Sequence, residues 1–205
     1  MLTRRYLIVS FAALLGLAAG SLPRAAQAQS ATAASEFVDQ TGKALVGVVN
    51  GSGSPAQKQP QLTSIIEQRV AVDAIAQFCL GRFWRTATPS QQQEYVTLFH
   101  HVLVNNITGK MGQFRGVTFT MGRALPRGGD VAVETTVTRP GNAPNQVQWI
   151  VGNVAGSPKI IDVIAEGTSL RLTQRQDYAS FLARNGNSIP AFLQALHRQA
   201  DAVPG

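Results

Sequence analysis

Residues 146–170, QVQWIVGNVAGSPKIIDVIAEGTSL, constrain the fold more than any other part of this chain. Val147, Trp149 and Val151 alternate with Gln148 and Ile150, the period of a half-buried strand. Gly156, Ser157 and Pro158 supply a tight turn. Ile160, Ile161, Val163 and Ile164 then give a second strand rich in β-branched side chains, which suit a pleated and largely buried surface. Gly167 ends that strand, and Thr168 or Ser169 can cap the next element. The pattern predicts a hairpin that the rest of the chain must cover.

Two further strands precede it. From Val117 the apolar period is 2: Val117, Phe119 and Met121, then Val131, Val133, Thr135 and Val137 after the turn-rich residues 126–130. Four strands with short connections predict an antiparallel meander with one apolar face. Helical periods lie on either side. Apolar positions at Phe37, Val38, Leu45, Val48 and Val49 predict a helix over 36–49. Residues 51–60, GSGSPAQKQP, read as a loop, and 29–35 as a mobile leader. Leu62, Ile65, Ile66 and Val70 recur at helical spacing, and Asp73 is placed to cap a short helix carrying Ile75, Phe78 and Cys79, which Gly81 ends. Thr88, Pro89 and Gln91 form a capping box with proline at the first helical position. That helix is predicted to run to about Lys110, with Tyr95, Phe99, Leu103, Ile107 and Met111 on one track. Two helices, 174–184 and 189–199, close the chain. Helices, then strands, then helices predict an α+β fold.

At the N-terminus Arg4 and Arg5 precede an apolar run from Tyr6 to Leu22, then Pro23 and the small-x-small site Ala26-Gln27-Ala28. This order predicts a secretory signal peptide, residues 1–28, cleaved after Ala28, with residues 29–205 forming one domain. The run is shorter than the ~20 residues of a spanning helix. Thr3-Arg4-Arg5-Tyr6-Leu7 resembles a twin-arginine signal, and adjacent arginines also occur in ordinary signals, so both export routes stay open. Cleavage lowers the formal charge from +7 to about +4. A modest positive charge suits an anionic lipid or membrane surface. Without a Lys/Arg-rich block it does not suit nucleic acid. One cysteine, Cys79, rules out an internal disulfide and reads as a small core residue.

Catalytic constellations are not assembled in the sequence. Residues 51–56, GSGSPA, superficially match a dinucleotide fingerprint, but no βαβ alternation comes after them. His100 and His101 are adjacent on a helix and diverge by ~100°, and His197 stands alone, so no metal site is expected. No G-x-S-x-G occurs. Asp162 and Glu166, four apart on a strand, lie ~13 Å from one another, beyond the ~5–9.5 Å of paired glycosidase carboxylates. Asp162 therefore reads as a structural acceptor, with Glu166 ordering the strand end.

The run IIDVIAEGTSL, followed by Arg175 and Tyr178, and the run LGRFWRTATPSQQQEYVTLF together resemble the MlaC, or toluene-tolerance, family. The resemblance covers about residues 35–196. It implies a cone resembling nuclear-transport-factor-2-like proteins and a non-catalytic, monomeric periplasmic carrier without a cofactor. The cargo implied is phospholipid, moved between an outer-membrane lipoprotein complex and an inner-membrane ABC transporter with an MCE-type subunit. A hopanoid-binding relative is the near alternative. A small-molecule enzyme using the same cavity, or a purely structural envelope protein, are alternatives of other classes. A carrier needs an apolar pocket, and the long helix and the cupped sheet face supply candidates: Phe78, Trp84, Phe99, Leu103, Ile107, Val133, Val137, Trp149, Ile161 and Val163. Each would serve equally as an ordinary core residue. Arg82, Arg85, Lys110 and Arg115 are candidates for guiding a headgroup phosphate or a partner. Intact-mass measurement on protein recovered from a bacterial periplasm is expected to place the N-terminus at Gln29; a retained N-terminus in the membrane fraction contradicts this.

Overall fold

The computed structural model describes residues 24–202. The greater part of the expected signal peptide, residues 1–23, lies outside the described residues. Helix α1 spans Arg24–Asn50 and starts well before the expected position 36. Residues 29–35, expected as a mobile leader, are helical, because their alanines and glutamine carry high helix propensity. α2 spans Pro55–Arg69, so most of the expected loop 51–60 is helix. Ser54 Oγ accepts from Gln57 N (3.3 Å) and Ser54 N donates to Gln57 Oε1 (2.8 Å), a capping box with proline in the first turn. Pro60 falls inside the helix without ending it. The GSGSPA run therefore joins two helices and comes after no strand, which removes the dinucleotide reading on firmer grounds.

α3 spans Val72–Leu80 and passes at Gly81, φ 61°, into a 3₁₀ turn, Gly81–Arg85. Asp73 does not cap α3: the capping position is Ala71, and Asp73 Oδ1 instead meets His100 Nε2 at 2.7 Å. α4 spans Pro89–Gly109 behind the predicted Thr88–Gln91 box. A second 3₁₀ turn, Met111–Phe114, leads to the sheet. α5 spans Leu170–Arg184, starting four residues before the predicted position because Ser169 caps it, and α6 spans Ile189–Asp201 behind Ser188.

The sheet is an antiparallel meander of five strands in sequence order: β1 Thr118–Arg127, β2 Asp130–Thr138, β3 Asn145–Val154, β4 Ser157–Ala165 and β5 Thr168–Ser169. The fifth strand was not expected, since two residues carry no periodicity. It is reached through a two-residue turn, Glu166 (φ 51°) and Gly167 (φ 77°), whose left-handed pair matches strand twist. The β3–β4 turn is likewise Ala155 (φ 51°) and Gly156 (φ 83°), and Ser157 and Pro158 already belong to β4. Pro158 is tolerated there because it is the second residue of β4, at the end that β5 does not reach.

Two apolar clusters form. In the first, α3, α4, α5 and α6 pack around Tyr95, whose ring meets those of Trp84, Phe99, Tyr178 and Phe192 and whose hydroxyl donates to Ala76 O at 2.9 Å. In the second, α1 lies on one face of β1–β4 through Ala34, Phe37 and Val38. Val70, between α2 and α3, packs against both clusters and bridges to Ile160 of β4. Ala71 N donates to Ile160 O (3.0 Å), and Lys159 Nζ reaches the last carbonyls of α2 at Glu67 (3.3 Å) and Gln68 (2.5 Å).

Cys79 is a core residue, 1% exposed, as its sequence neighbours indicate. Burial pushes its thiol up to about 12 from 9.0, and burial likewise raises Tyr95 and Tyr178. The unfolded chain then releases the thiol proton first as pH rises, so stability present below pH 9.0 is lost between 9.0 and about 12. Urea unfolding across pH 8–11 is expected to show this decline, and Cys79→Ala is expected to delay its onset toward the tyrosine range. An unchanged profile in the variant contradicts the assignment.

Candidate functional site

Two surfaces gather the residues singled out in the sequence. The first is the apolar face beneath α1. β2 presents Val131, Val133 and Thr135, β3 presents Trp149 and Val151, and β4 presents Ile160 and Val163. The indole is fixed: Trp149 Nε1 donates to Thr135 Oγ1 (2.9 Å), and Thr135 Oγ1 donates to Val147 O (3.4 Å). The one polar atom of the tryptophan side chain is thereby satisfied without water, and its apolar body stays on the face. Trp149, Val163 and Met121 are only partly buried there, at the margin of a cluster to which α1 contributes Ala34, Phe37 and Val38. Thr41, 2% exposed, hides its hydroxyl by donating to Phe37 O (2.7 Å).

The expected lining residues separate between clusters. Val133, Trp149 and Val163 lie together beneath α1. Val137 is half-buried further along β2, opposite Phe119. Ile150 faces Asp162 while Val151 faces Ile160, so Ile161 is the extra residue of a bulge. Its Cδ1 lies 3.0 Å from where a Cβ on Gly152 would sit, which puts it on the opposite face from Val151. Phe78, Trp84, Phe99 and Leu103 belong to the helical cluster, and Ile107 is 37% exposed on α4. α1 lies on β1 and β2, while α2, α3 and α5 meet β4; α4 packs on α6, α2 and α3. Sequence reasoning missed the contribution of Ala31 and Ala34, whose small side chains register only weakly as an apolar stripe.

The second surface is an open cleft of about 480 Å³ where both motif runs meet. Phe78, Gly81 and Trp84 form its apolar part, and Arg82, Arg85 and Arg175 its charged part. Arg175 is the one lining residue from α5, and the network that joins α5 to β4 lies behind Phe78. Asp162, 6% exposed, accepts from Val163 N (2.8 Å) and Arg171 N (3.2 Å) on Oδ1, and from Ser169 Oγ (2.6 Å) on Oδ2. Arg171 Nε stands 3.4 Å from Oδ2, an ion pair by distance whose angle misses a hydrogen bond. Arg171 Nη1 donates to Ile161 O (3.3 Å). The Arg171 and Arg175 guanidiniums lie 4.6 and 4.9 Å from the Phe78 ring centroid, and Arg175 donates to Phe78 O (3.4 Å). A Cβ on Gly81 would stand 3.2 Å from Arg175 Nε, so glycine there serves both the turn and the arginine. Asp162 thus acts as the structural acceptor expected, and Glu166 is an exposed turn residue.

Of the other basic candidates, Lys110 is the exposed cap of α4. Arg115 lines a separate cleft of about 200 Å³ with Lys58 and Met111. His100 pairs with Asp73 and His197 with Glu94 (2.9 Å). Among the described residues no cluster of His, Cys, Asp or Glu is placed to hold a metal ion, and no helix is long and apolar enough to cross a membrane.

An antiparallel meander carrying one helix on its apolar face and a helical cluster at its β4 edge is an α+β domain of helices on a sheet. The MlaC protein family model matches residues 22–198, and the chain belongs to that family. Toluene tolerance protein ttg2D of Pseudomonas putida is 25% identical over 161 residues, 75% of each chain. A phospholipid-binding protein from Ralstonia solanacearum, solved in complex with a phospholipid, shares the fold with a TM-score of 0.71. The match covers 82% of this chain and 96% of that one at 22% identity.

Removing the Asp162 carboxylate would leave Arg171 facing no counter-charge in a partly buried wall. Asp162→Ala is expected to lower stability by about 3 kcal/mol in urea unfolding, and Ser169→Ala by about 1 kcal/mol. Equal small losses in both contradict the carboxylate's central place.

Proposed function

We propose that the chain is a periplasmic phospholipid carrier whose acyl chains are held on the sheet face beneath α1. The observation that carries the proposal is the apolar sheet face on which Trp149, Val163 and Met121 are only partly buried. Family membership and the phospholipid-bound Ralstonia protein of the same fold support the reading.

Once drawn from a bilayer, an acyl chain must be kept out of water, and this face can do so in exchange for the cover that Ala34, Phe37 and Val38 give it. Val133, Trp149 and Val163 are its primary contacts. The helical cluster around Tyr95 has its own core and stays folded while α1 shifts. Leu103, Phe99 and Phe78 act in this reading as that core, not as contacts to the tails.

In the same reading residues 1–28 are removed on export and residues 29–205 work as one monomeric domain. The carrier moves lipid between an outer-membrane lipoprotein complex and an inner-membrane ABC transporter with an MCE-type subunit. No catalytic residue or cofactor is assigned. Protein from a bacterial periplasm, extracted with solvent and analysed by mass spectrometry, is expected to yield phospholipid near one molecule per chain. Trp149→Asp is expected to lower that load about tenfold, since a carboxylate among the tails must be desolvated or protonated. Circular dichroism separates this from unfolding. A well-folded wild type that carries no lipid and takes none from vesicles overturns the carrier function, and a hopanoid in the extract redirects it.

A further inference from the structure

The cleft at Phe78, Trp84, Arg82, Arg85 and Arg175 lies outside the apolar face assigned to lipid, and nothing in carriage uses it. It is basic without compensation. Among the described residues Arg82, Arg85 and Arg175 form no ion pair with any carboxylate, and no acidic residue lines the cleft. Arg175 is held rigid by the Phe78 ring and carbonyl, and Arg82 lies 4.8 Å from the Phe83 ring centroid. Guanidiniums held in this way keep most of their donors free for a partner at little further entropic cost.

We propose that this cleft docks a short acidic segment of a partner protein, one with two carboxylates beside an apolar side chain. Three features select that occupant. Arg82 and Arg85 are three residues apart on a 3₁₀ turn, which puts them on one edge and about 6 Å apart along it. Carboxylates two apart on an extended peptide, at about 6.6 Å, match that spacing. A single phosphate is too small to satisfy both. Next, Trp84, between the two arginines in sequence, together with Phe78 offers an apolar floor that a purely ionic ligand would leave unused. Last, the surface is an open depression of about 480 Å³, with room for a side chain. The charge gives specificity and encounter rate, and the aromatic floor gives residence.

The test pans a random dodecapeptide phage library on the full chain and measures enriched peptides by calorimetry. Peptides with two or more carboxylates next to an aromatic residue or leucine are expected. Arg85→Glu is expected to weaken them at least tenfold, and Arg82→Glu combined with Arg85→Glu to abolish binding. Lys110→Glu with Arg115→Glu makes the same charge change elsewhere and is expected to leave affinity within about twofold, beyond ordinary screening. Arg85 is exposed, so its variant keeps the fold, which circular dichroism verifies. Lipid load, read in the same variants by mass spectrometry, is expected to stay at the wild-type level, so this inference and the carrier function fail separately. Enrichment of neutral or basic peptides, no enrichment, or equal binding by the Arg85→Glu variant overturns the proposal. So does displacement of the peptides by millimolar inorganic phosphate alone, which reveals a simple anion site. Arginine-dependent binding to phosphatidylglycerol vesicles without peptide binding also overturns it, in favour of a membrane contact.

Discussion

The structure depends on one buried carboxylate. Asp162 sits where β4, β5 and the start of α5 converge, and it accepts from two backbone amides and a hydroxyl while facing Arg171. A carboxyl group at 6% exposure is tolerable only when its oxygens find partners in this way. Through Arg171 the same carboxylate reaches Phe78 and so α3, and through Ser169 it sets the first turn of α5. The sheet and the helical cluster would otherwise meet mainly through apolar contacts around Val70, which specify position less sharply than a directional network does.

Around that joint the chain divides its apolar side chains by size. Large aromatics concentrate in the helical cluster, where Tyr95, Phe99, Tyr178 and Phe192 interlock at tilted and edge-on angles. The sheet face has β-branched residues and one tryptophan, with α1 meeting it through alanines as much as through Phe37 and Val38. Interlocked rings resist repacking, whereas a flat valine surface under small side chains accepts a replacement of similar polarity. The two clusters therefore differ in texture as well as in place.

The sequence conveyed the meander and the capped α4 because their signals are local: a period of 2, and a Thr-Pro-x-Gln start. The same signal stands at Ser54-Pro55-Ala56-Gln57, yet the first turns of α2 read as loop from sequence because glycines precede them and Pro60 falls among them. Proline in an early turn loses little, and the capping box prevailed. β5 was invisible since its two residues are specified by the turn before them and by Asp162 across from them. The candidate site was legible in its parts and not in its grouping. Trp149, Val133 and Val163 share a face as their alternation requires, but a single bulged residue turned Ile161 away. No one-dimensional pattern indicated whether α1 or α4 would lie on the sheet. That choice rests on Asn50, which ties the end of α1 to the start of β1 through Val117 O (2.9 Å) and Gly116 N (2.8 Å).

The bridge from Val70 to Ile160 has a consequence for life in a crowded compartment. An open sheet offers two rows of unpaired amides and carbonyls to any passing strand. Here the outer edge of β4 is met by Val70 at one end, where Pro158 also has no amide to offer, and by the two residues of β5 at the other. At the far margin β1 has a bulge at Gly122 and Arg123 and ends in Pro126 and Arg127. Kinks, proline and charge leave little straight template on either side. The borders of the sheet are thus closed to fibril-like addition by residues other than those that form its apolar face.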